Sequence, residues 1–210
     1  MMKITVIIPC FNEADSIPEL IQNLRLIKND FYFIILDNGS LDNTIEVLNK
    51  INLPDNIVSI RKETNNGYGA GIKFGLKQVK TEYCGWMHGD LQQNSKVLLK
   101  AKDLIHLYEK DDNQLIAFKG LRTGRSIIEN IFTSGVAIFC SILFFDFYWD
   151  IAGQPNIFKT SALNFLENAP DDHTFDFYTY IYFLRKKGHF KRFKAPFLKR
   201  KYGNPHGIEV

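Results

Sequence analysis

Short apolar runs and amphipathic segments alternate along the first half of the chain. The apolar runs cover residues 4–8, 34–36, 57–60 and 83–87 and are typical of buried strands. A segment with helical spacing of apolar residues follows each run. The first of these helices is expected to begin with a capping box, in which Ser16 precedes Glu19. This alternation predicts βα units with right-handed crossovers, and therefore a parallel sheet.

The second half of the chain is less regular. It predicts a strand near residues 115–119, an apolar helix over 127–147, a short strand at 156–158, a helix over 175–187 and a last strand near 190–198. With 210 residues, 45% of them hydrophobic, the chain is long enough for one substantial core. We therefore expect a single α/β domain with a mostly parallel sheet flanked by helices.

An acidic residue stands where the second predicted strand ends. Asp37 follows the apolar run 34–36 and precedes a glycine turn, and Asp42 precedes the next helix. Ligands of open α/β sheets bind outside the carboxyl ends of strands, so Asp37 is placed to accept hydrogen bonds from a base or a ribose. An Asx turn or a helix cap is the alternative interpretation, above all for Asp42.

Four segments carry a resemblance to a known family. They read VIIPCFNE at residues 6–13, LDNGSLDNT at 36–44, NGYGAG at 66–71 and MHGDLQ at 87–92. In these segments the chain resembles the family 2 glycosyltransferases of the GT-A fold, most closely their dolichyl- or polyprenyl-phosphate branch. The second half matches only at scattered positions, which are Asp150, Gln154, Asp176 and Arg200. The resemblance implies a Rossmann-like domain in which residues 1–110 bind a nucleotide-sugar and residues 111–210 bind the acceptor.

The resemblance also implies which residues bind the donor, a UDP- or GDP-sugar. They are Pro9, Asn12, Glu13, Asp37, Gly39, Asn66, Gly67, His88 and Asp90. Gly39 would let the backbone approach the nucleotide closely. Asp90 would hold a divalent cation, Mn²⁺ or Mg²⁺, against the diphosphate, because hard carboxylate oxygens suit these ions.

Residues 88–90 depart from the Asp-x-Asp pattern of the family, since they read HGD. Imidazole is a poor ligand for Mg²⁺ and an acceptable one for Mn²⁺. Three interpretations of His88 stay open: it binds Mn²⁺, it donates a hydrogen bond to the sugar or phosphate of the donor, or it fills space. We favour the second, and Asp90 is the stronger metal candidate.

A base that activates the acceptor is expected from the second half of the chain. The resemblance points to Asp176, near the start of a helix, with Asp150 as the second candidate. Acids in a first helical turn also interact favourably with the helix dipole, so Asp171 and Asp172 are expected to act as caps. A phosphate acceptor would need little deprotonation near neutral pH, which reduces the demand on any base.

Two segments of the second half predict contact with a membrane. Residues 131–145 are apolar on nearly every face but shorter than the roughly 20 residues of a membrane span, so we expect this helix not to cross a bilayer. It is either a core helix or a helix that lies at the membrane surface or against the isoprenoid tail of an acceptor. Residues 185–201 are rich in Lys and Arg and contain no acid, in a chain of formal net charge +3. This favours membrane lipid or a lipid phosphate as the partner.

The remaining composition bears on where the protein works. The cysteines, Cys10, Cys84 and Cys140, lie far apart without metal-ligand spacing, which suits a reducing compartment. The amino terminus resembles no secretory signal, so we expect a cytoplasmic protein, peripheral at the cytoplasmic face of the membrane. Relatives of this branch often continue into membrane helices, so the chain is expected to be either naturally short or truncated.

These observations predict an inverting, metal-assisted transfer of a sugar from a nucleotide-sugar to a lipid-linked or cell-surface glycan acceptor. Inversion is implied by the family. The alternative is a glycosyltransferase-like nucleotide-binding module with impaired catalysis, which the histidine at position 88 keeps open. A nucleic-acid partner is not expected, because no aromatic and basic recognition motif is present.

Overall fold

A seven-stranded sheet forms the centre of the computed structural model, which describes residues 4–27, 29–108 and 115–203. The strands are β1 (Ile4–Cys10), β2 (Phe31–Asn38), β3 (Ile57–Lys62), β4 (Tyr83–Trp86), β5 (Ile116–Thr123), β6 (Asn156–Lys159) and β7 (His189–Pro196). The helices are α1 (Ile17–Arg25), α2 (Thr44–Lys50), α3 (Tyr68–Leu76), α4 (Val97–Tyr108), α5 (Ile127–Phe144) and α6 (Phe175–Arg185). A 3₁₀-helix, Thr160–Asn168, precedes α6.

The strands lie in the order β3-β2-β1-β4-β6-β5-β7. Neighbouring strands are parallel except where β6 pairs with β4 on one side and β5 on the other. The predicted single α/β domain with a mostly parallel sheet is confirmed. The predicted boundary between the two halves, at residues 110 and 111, lies outside the described residues and stays a prediction.

Both faces of the sheet are covered because side chains along each strand alternate between them. In β1, Val6 and Ile8 pack with α1 and α4 on one face, while Ile7 packs with α3 and α6 on the other. All three of these side chains are fully buried. Strands buried on both faces read as continuous apolar runs, which is why the sequence reveals them so clearly.

One predicted capping box is wrong. The hydroxyl of Ser16 donates to the backbone oxygen and the carboxylate of Glu13 and makes no cap hydrogen bond to α1. Glu19 instead accepts hydrogen bonds from Lys201 and Tyr202 near the far end of the chain. Glu19 therefore bonds to residues distant in the chain and not to the neighbouring Ser16. The sequence interpretation also missed the 3₁₀-helix and a genuine capping box at Ser126 and Glu129, which begins α5.

Helix α5 lies on the surface, so the core-helix interpretation is wrong. Most of its large apolar side chains are exposed: Ile127, Ile128, Ile131, Val136, Ile138, Phe139, Ile142, Leu143 and Phe144. Ala137 and Cys140 are buried, and Cys140 packs with Tyr180 of α6. Its 18 residues make α5 long and apolar enough to span a membrane by length and composition. A length of about 27 Å is nonetheless slightly short of a hydrocarbon core of roughly 30 Å, and the expectation that α5 does not cross a bilayer stays a prediction.

Candidate functional site

A cavity of about 480 Å³ opens at the carboxyl ends of β1, β2 and β4. Parallel strands bring these ends to one edge of the sheet, where the first turn of α3 closes the far side. The predicted donor residues on its wall are Pro9, Glu13, Gly67, His88 and Asp90. The sequence interpretation missed Tyr68, His173, Gln92 and Arg200 as site residues, and all four also line the cavity. Gln92, Tyr68 and Arg200 already stood within the matched motifs and positions, whereas no sequence signal distinguished His173.

Asn12 and Gly39 shape the loops beside the cavity and are not among its lining residues. The side-chain oxygen of Asn12, a residue with φ of 54°, accepts hydrogen bonds from the amides of Leu41 and Asp42. Gly39 has φ of 74°, and a Cβ there would lie 2.6 Å from the amide nitrogen of Asn65. Position 39 therefore requires glycine for its own backbone packing. Asn66 is exposed and also lies off the described wall.

Asp37 is fully buried beneath the cavity and is not among its lining residues. One carboxylate oxygen accepts the amide of Ser40 at 2.9 Å, and the other pairs with Arg61 at 2.9 Å. Asp42 serves a local turn, since it accepts hydrogen bonds from the amide and hydroxyl of Thr44. The contact of Asp37 with a nucleoside stays a prediction.

Arg200 lies between two acidic side chains of the cavity. Its guanidinium pairs with Glu13, which is only 7% exposed, and approaches Asp90 at 3.5 Å. The backbone brings it there because the segment after β7 runs beside the Asp90 loop, with the amide of Leu198 donating to the backbone oxygen of Gln92 at 2.7 Å. Glu13 and Asp90 thus have a cationic partner supplied by the far end of the chain.

Few side chains of the first cavity could bind a metal ion. Among the described residues, no group of three or more His, Cys, Asp and Glu side chains could hold a metal ion. Asp90, His88 and Gln92 line the same cavity and offer a carboxylate, an imidazole and an amide. These groups fit a cation that takes its other ligands from a bound diphosphate, and the imidazole suits Mn²⁺ better than Mg²⁺.

Asp176 lies behind the cavity and is only 8% exposed. Its carboxylate accepts hydrogen bonds from Trp86 Nε1 at 2.8 Å, Gln154 Nε2 at 3.2 Å and the Tyr68 hydroxyl at 3.3 Å. Burial, followed by the nearby charge of Asp176, raises the pKa of Tyr68 well above its usual range. Tyr68 therefore stays a neutral donor, and it is the group through which Asp176 reaches the cavity. The role of Asp176 as a base stays a prediction.

Asp150 is held by Arg122. Its carboxylate accepts hydrogen bonds from the Arg122 amide and Nε, both at 2.7 Å, and the residue is 4% exposed. It adopts φ of 40°, an uncommon conformation for a residue other than glycine. Because both oxygens are engaged, Asp150 fixes the position of Arg122; its direct part in catalysis stays a prediction.

A second cavity, of about 360 Å³, lies between α5 and α6. Its walls are mostly apolar, and Arg122 and Arg125 supply its positive charge. Nε of Arg125 is buried and, among the described residues, has no hydrogen-bond partner. Burial and then the charge of Arg122 lower the pKa of Arg125. The two arginines at and just after the end of β5 were the signal for this cavity in the sequence, and it was missed.

Lys119 anchors the loop that runs between the two cavities. It is 2% exposed, and its Nζ donates to the Gly153 oxygen at 2.6 Å and the Asn156 side chain at 2.7 Å. Burial lowers the pKa of Lys119 to about 7. The loop carries Asp150 at one end and Gln154 at the other, so it connects Arg122 of the second cavity with Tyr68 of the first.

Comparisons with known proteins agree with this arrangement. A poly(ribitol-phosphate) β-N-acetylglucosaminyltransferase, TarS of Staphylococcus aureus, is 30% identical over 136 residues, which cover 63% of this chain and 23% of TarS. An undecaprenyl-phosphate 4-deoxy-4-formamido-L-arabinose transferase of Yersinia pestis is 31% identical over 114 residues, which cover 51% of this chain and 34% of that protein. The chain thus spans about a quarter to a third of these relatives.

Solved structures show the same fold. Glucosyl-3-phosphoglycerate synthase of Mycobacterium tuberculosis, in a complex with Mn²⁺, UDP and glucosyl-3-phosphoglycerate, superposes with a TM-score of 0.68 at 15% identity, covering 97% of this chain and 73% of that one. The mannosyltransferase PcManGT of Pyrobaculum calidifontis, in a complex with GDP-Man and Mn²⁺, superposes with a TM-score of 0.66 at 18% identity, covering 95% and 58%. These likenesses confirm the GT-A fold.

The family model described as glycosyl transferase family 2 matches residues 5–189. The match includes every lining residue of the first cavity except Arg200, together with the second cavity and the loop between them. The chain therefore belongs to glycosyl transferase family 2.

Proposed function

We propose that this protein transfers a sugar, with inversion, from a nucleotide-diphosphate sugar to a lipid-linked phosphate or glycan acceptor at the cytoplasmic face of the membrane. The observation that carries the acceptor assignment is the second cavity, whose lining combines two arginines with mostly apolar side chains beside the exposed helix α5. A phosphate on an isoprenoid chain combines these two chemistries in one molecule.

The donor would occupy the first cavity. Its volume suits a small ligand, and its lining combines polar groups with aromatic rings. Solved relatives of the same fold hold Mn²⁺ with UDP or GDP-Man, which supports a divalent cation and a nucleotide-sugar here. Asp90, with His88 and Gln92 beside it, would hold that cation, which would neutralise the charge developing on the leaving diphosphate.

The acceptor would approach from the second cavity. Arg125 retains an unpaired buried N–H group, and a bound phosphate oxygen would satisfy it. The loop from Asp150 to Gln154 lies between the proposed phosphate position at Arg125 and the donor cavity. The acceptor and the donor would therefore approach each other from the two sides of this loop. An acceptor phosphate needs little deprotonation, whereas a hydroxyl acceptor would pass its proton to Asp176 through Tyr68.

Peripheral membrane contact is part of this proposal. Helix α6 packs on α5, and the exposed basic residues Arg185, Lys186 and Lys187 follow at the end of α6. An apolar helix face beside basic side chains is the combination that binds anionic lipid surfaces. The basic segment 185–201 is not uniformly exposed, however, since Arg192 donates to Tyr180 and Arg200 pairs with Glu13.

The proposal is tested in two steps. A thermal-shift panel of UDP, GDP, CDP and dTDP, with and without Mn²⁺, identifies the nucleotide; a ligand at about 100 times its dissociation constant adds roughly 2.7 kcal/mol of stability. Transfer from the matching radiolabelled nucleotide-sugars to undecaprenyl phosphate is then compared with transfer to polyribitol phosphate. Product anomeric configuration by NMR tests inversion. Nucleotide binding without transfer or donor hydrolysis would instead support the catalytically impaired module.

The variant Arg125→Gln tests whether the second cavity binds the acceptor and not the donor. We expect this variant to raise the KM for undecaprenyl phosphate about 10- to 150-fold, because a charged hydrogen bond is worth roughly 1.5–3 kcal/mol, and to leave the KM for the donor unchanged. Lys50→Gln, which removes one exposed charge at the end of α2, is the matched control. An unchanged KM for the lipid in Arg125→Gln would place the acceptor elsewhere.

A further inference from the structure

Three ring side chains stand together on one wall of the donor cavity. The ring of Tyr68 lies 5.4 Å from that of His173, nearly parallel at 17°, and 5.7 Å from that of His88. The three come from different parts of the chain: the first turn of α3, the segment before α6 and the loop after β4. We call His88, Tyr68 and His173 the aromatic wall.

The aromatic wall is held firmly from behind. The Tyr68 hydroxyl accepts a hydrogen bond from Gln154 at 2.5 Å and donates to Asp176. The segment before α6 is fastened to α3, since the Ala70 amide donates to the Asp171 oxygen at 2.9 Å. A Cβ on Gly67 would lie 2.3 Å from that same oxygen, so the two backbones are in close contact. Tyr68 and His173 therefore keep their relative positions.

The wall lies where the sugar of a donor bound in this cavity would be expected. In a nucleotide-diphosphate sugar, the anomeric carbon is bonded to an oxygen of the diphosphate, so the sugar ring must lie beside whatever holds the diphosphate. His88 is two residues from Asp90, and Tyr68 is hydrogen-bonded to Asp176. The wall thus lies between the residue suited to the cation and the residue suited to the acceptor proton.

We propose that the aromatic wall binds the C–H face of the pyranosyl group of the donor, and so contributes to affinity for the sugar without contributing to affinity for the nucleotide. This inference rests on the proposed function. Aromatic faces carry partial negative charge and attract the weakly positive C–H groups of a sugar, while the imidazole nitrogens meet its hydroxyls. His88, which replaces a family acid, thereby acquires a role that needs no bond to metal.

The test compares each nucleoside diphosphate with its own sugar conjugate. The probes are UDP against UDP-glucose and UDP-N-acetylglucosamine, and GDP against GDP-mannose, all with Mn²⁺, in isothermal titration with the full chain. We expect His173→Ala to raise the Kd of the bound nucleotide-sugar about three- to tenfold and that of the nucleoside diphosphate less than twofold. His88→Ala should weaken the nucleotide-sugar more than the nucleoside diphosphate, whatever it costs both through the cation. His173→Phe and Tyr68→Phe, which keep the rings, should retain sugar affinity within about twofold.

The outcomes separate the inference from the proposed function. Equal losses for nucleotide and nucleotide-sugar would show that the wall holds the base, and no loss in either alanine variant would show that it holds nothing; both overturn the inference alone. Failure of the wild-type chain to bind any of these nucleotides would overturn the proposed function as well. His189→Ala, an exposed histidine at the start of β7, controls for loss of an imidazole as such.

Discussion

The acidic residues of this site differ in whether they line the cavity or are enclosed by other groups of the protein. This difference determines whether a substitution measures a lost ligand contact or a loss of stability. Asp90 lines the first cavity, where its carboxylate accepts the amide of Gln92 and approaches Arg200, whereas Asp37 and Asp150 have both carboxylate oxygens engaged away from that cavity. Removal of Asp37 would leave Arg61 without its buried counter-charge. A loss of nucleotide affinity in Asp37→Ala would therefore need a stability measurement beside it before it is read as a lost contact.

Asp90→Asn should abolish the effect of Mn²⁺ on nucleotide binding while the protein stays folded, because a neutral amide oxygen is a much weaker ligand than a carboxylate. The measurement is the thermal shift by nucleotide with and without Mn²⁺. His88→Asp should shift the preference from Mn²⁺ toward Mg²⁺. If the ratio of the two shifts stays unchanged in His88→Asp, His88 does not contact the cation.

Lys119 gives the protein a pH-dependent stability. Its pKa is lowered to about 7 in the folded protein, so between pH 7 and about 10.4 the unfolded chain binds the extra proton and stability rises with pH. We expect the free energy of unfolding of the wild type, relative to Lys119→Met, to rise by up to about 1.4 kcal/mol per pH unit over this range. Urea unfolding at pH 6.5 and pH 9 measures it. A pH-independent difference would contradict a lowered pKa.

At the scale of elements, the sequence predicted most of what local patterns determine. Strands β1 to β4 appear as apolar runs because both sheet faces are covered, and the motif loops mark their carboxyl ends. What it could not predict depends on partners distant in the chain. Glu19 forms an ion pair with Lys201, and Arg200 forms one with Glu13. The exposure of α5 depends on how the helix packs, which apolar composition alone does not determine.

Helix α5 and the end of α6 should act together on a membrane. We expect co-sedimentation with vesicles containing anionic lipid, weakened but not abolished by salt, because basic residues add about 1 kcal/mol each within a Debye length and apolar contact is insensitive to salt. Phe139→Ser and Ile142→Ser, on the exposed face of α5, should reduce the salt-resistant part. Lys186→Gln with Lys187→Gln should reduce the salt-sensitive part.

This choice of basic residues differs from the substitution that the sequence suggests, which is Lys199, Arg200 and Lys201 to Gln. Arg200 pairs with Glu13 and Asp90, and Lys201 pairs with Glu19 at 2.5 Å. Their replacement would disturb the donor cavity together with the surface. Absence of vesicle binding by the wild type at low salt would contradict membrane contact altogether.

At the scale of the whole molecule, Arg200 joins the two ends of the chain across the donor cavity. Arg200→Gln leaves Glu13, which is 7% exposed, without its counter-charge, and should lower the free energy of unfolding by about 2 kcal/mol. Lys201→Gln breaks an exposed pair that solvent screens, so its effect on stability should be much smaller. Urea midpoints of the two variants provide the comparison, and equal midpoints would show that the contact with Glu13 contributes nothing to stability.

The exposed apolar face of α5 has a practical consequence for any measurement of size in solution. A patch of this kind, dissolved in water without lipid, favours self-association, since two copies remove apolar area from solvent by meeting face to face. A dimer seen by sedimentation without detergent would then form because no lipid covers the apolar face of α5. Repeating the run in mild detergent, where micelles cover that face, separates such a dimer from one held by other surfaces.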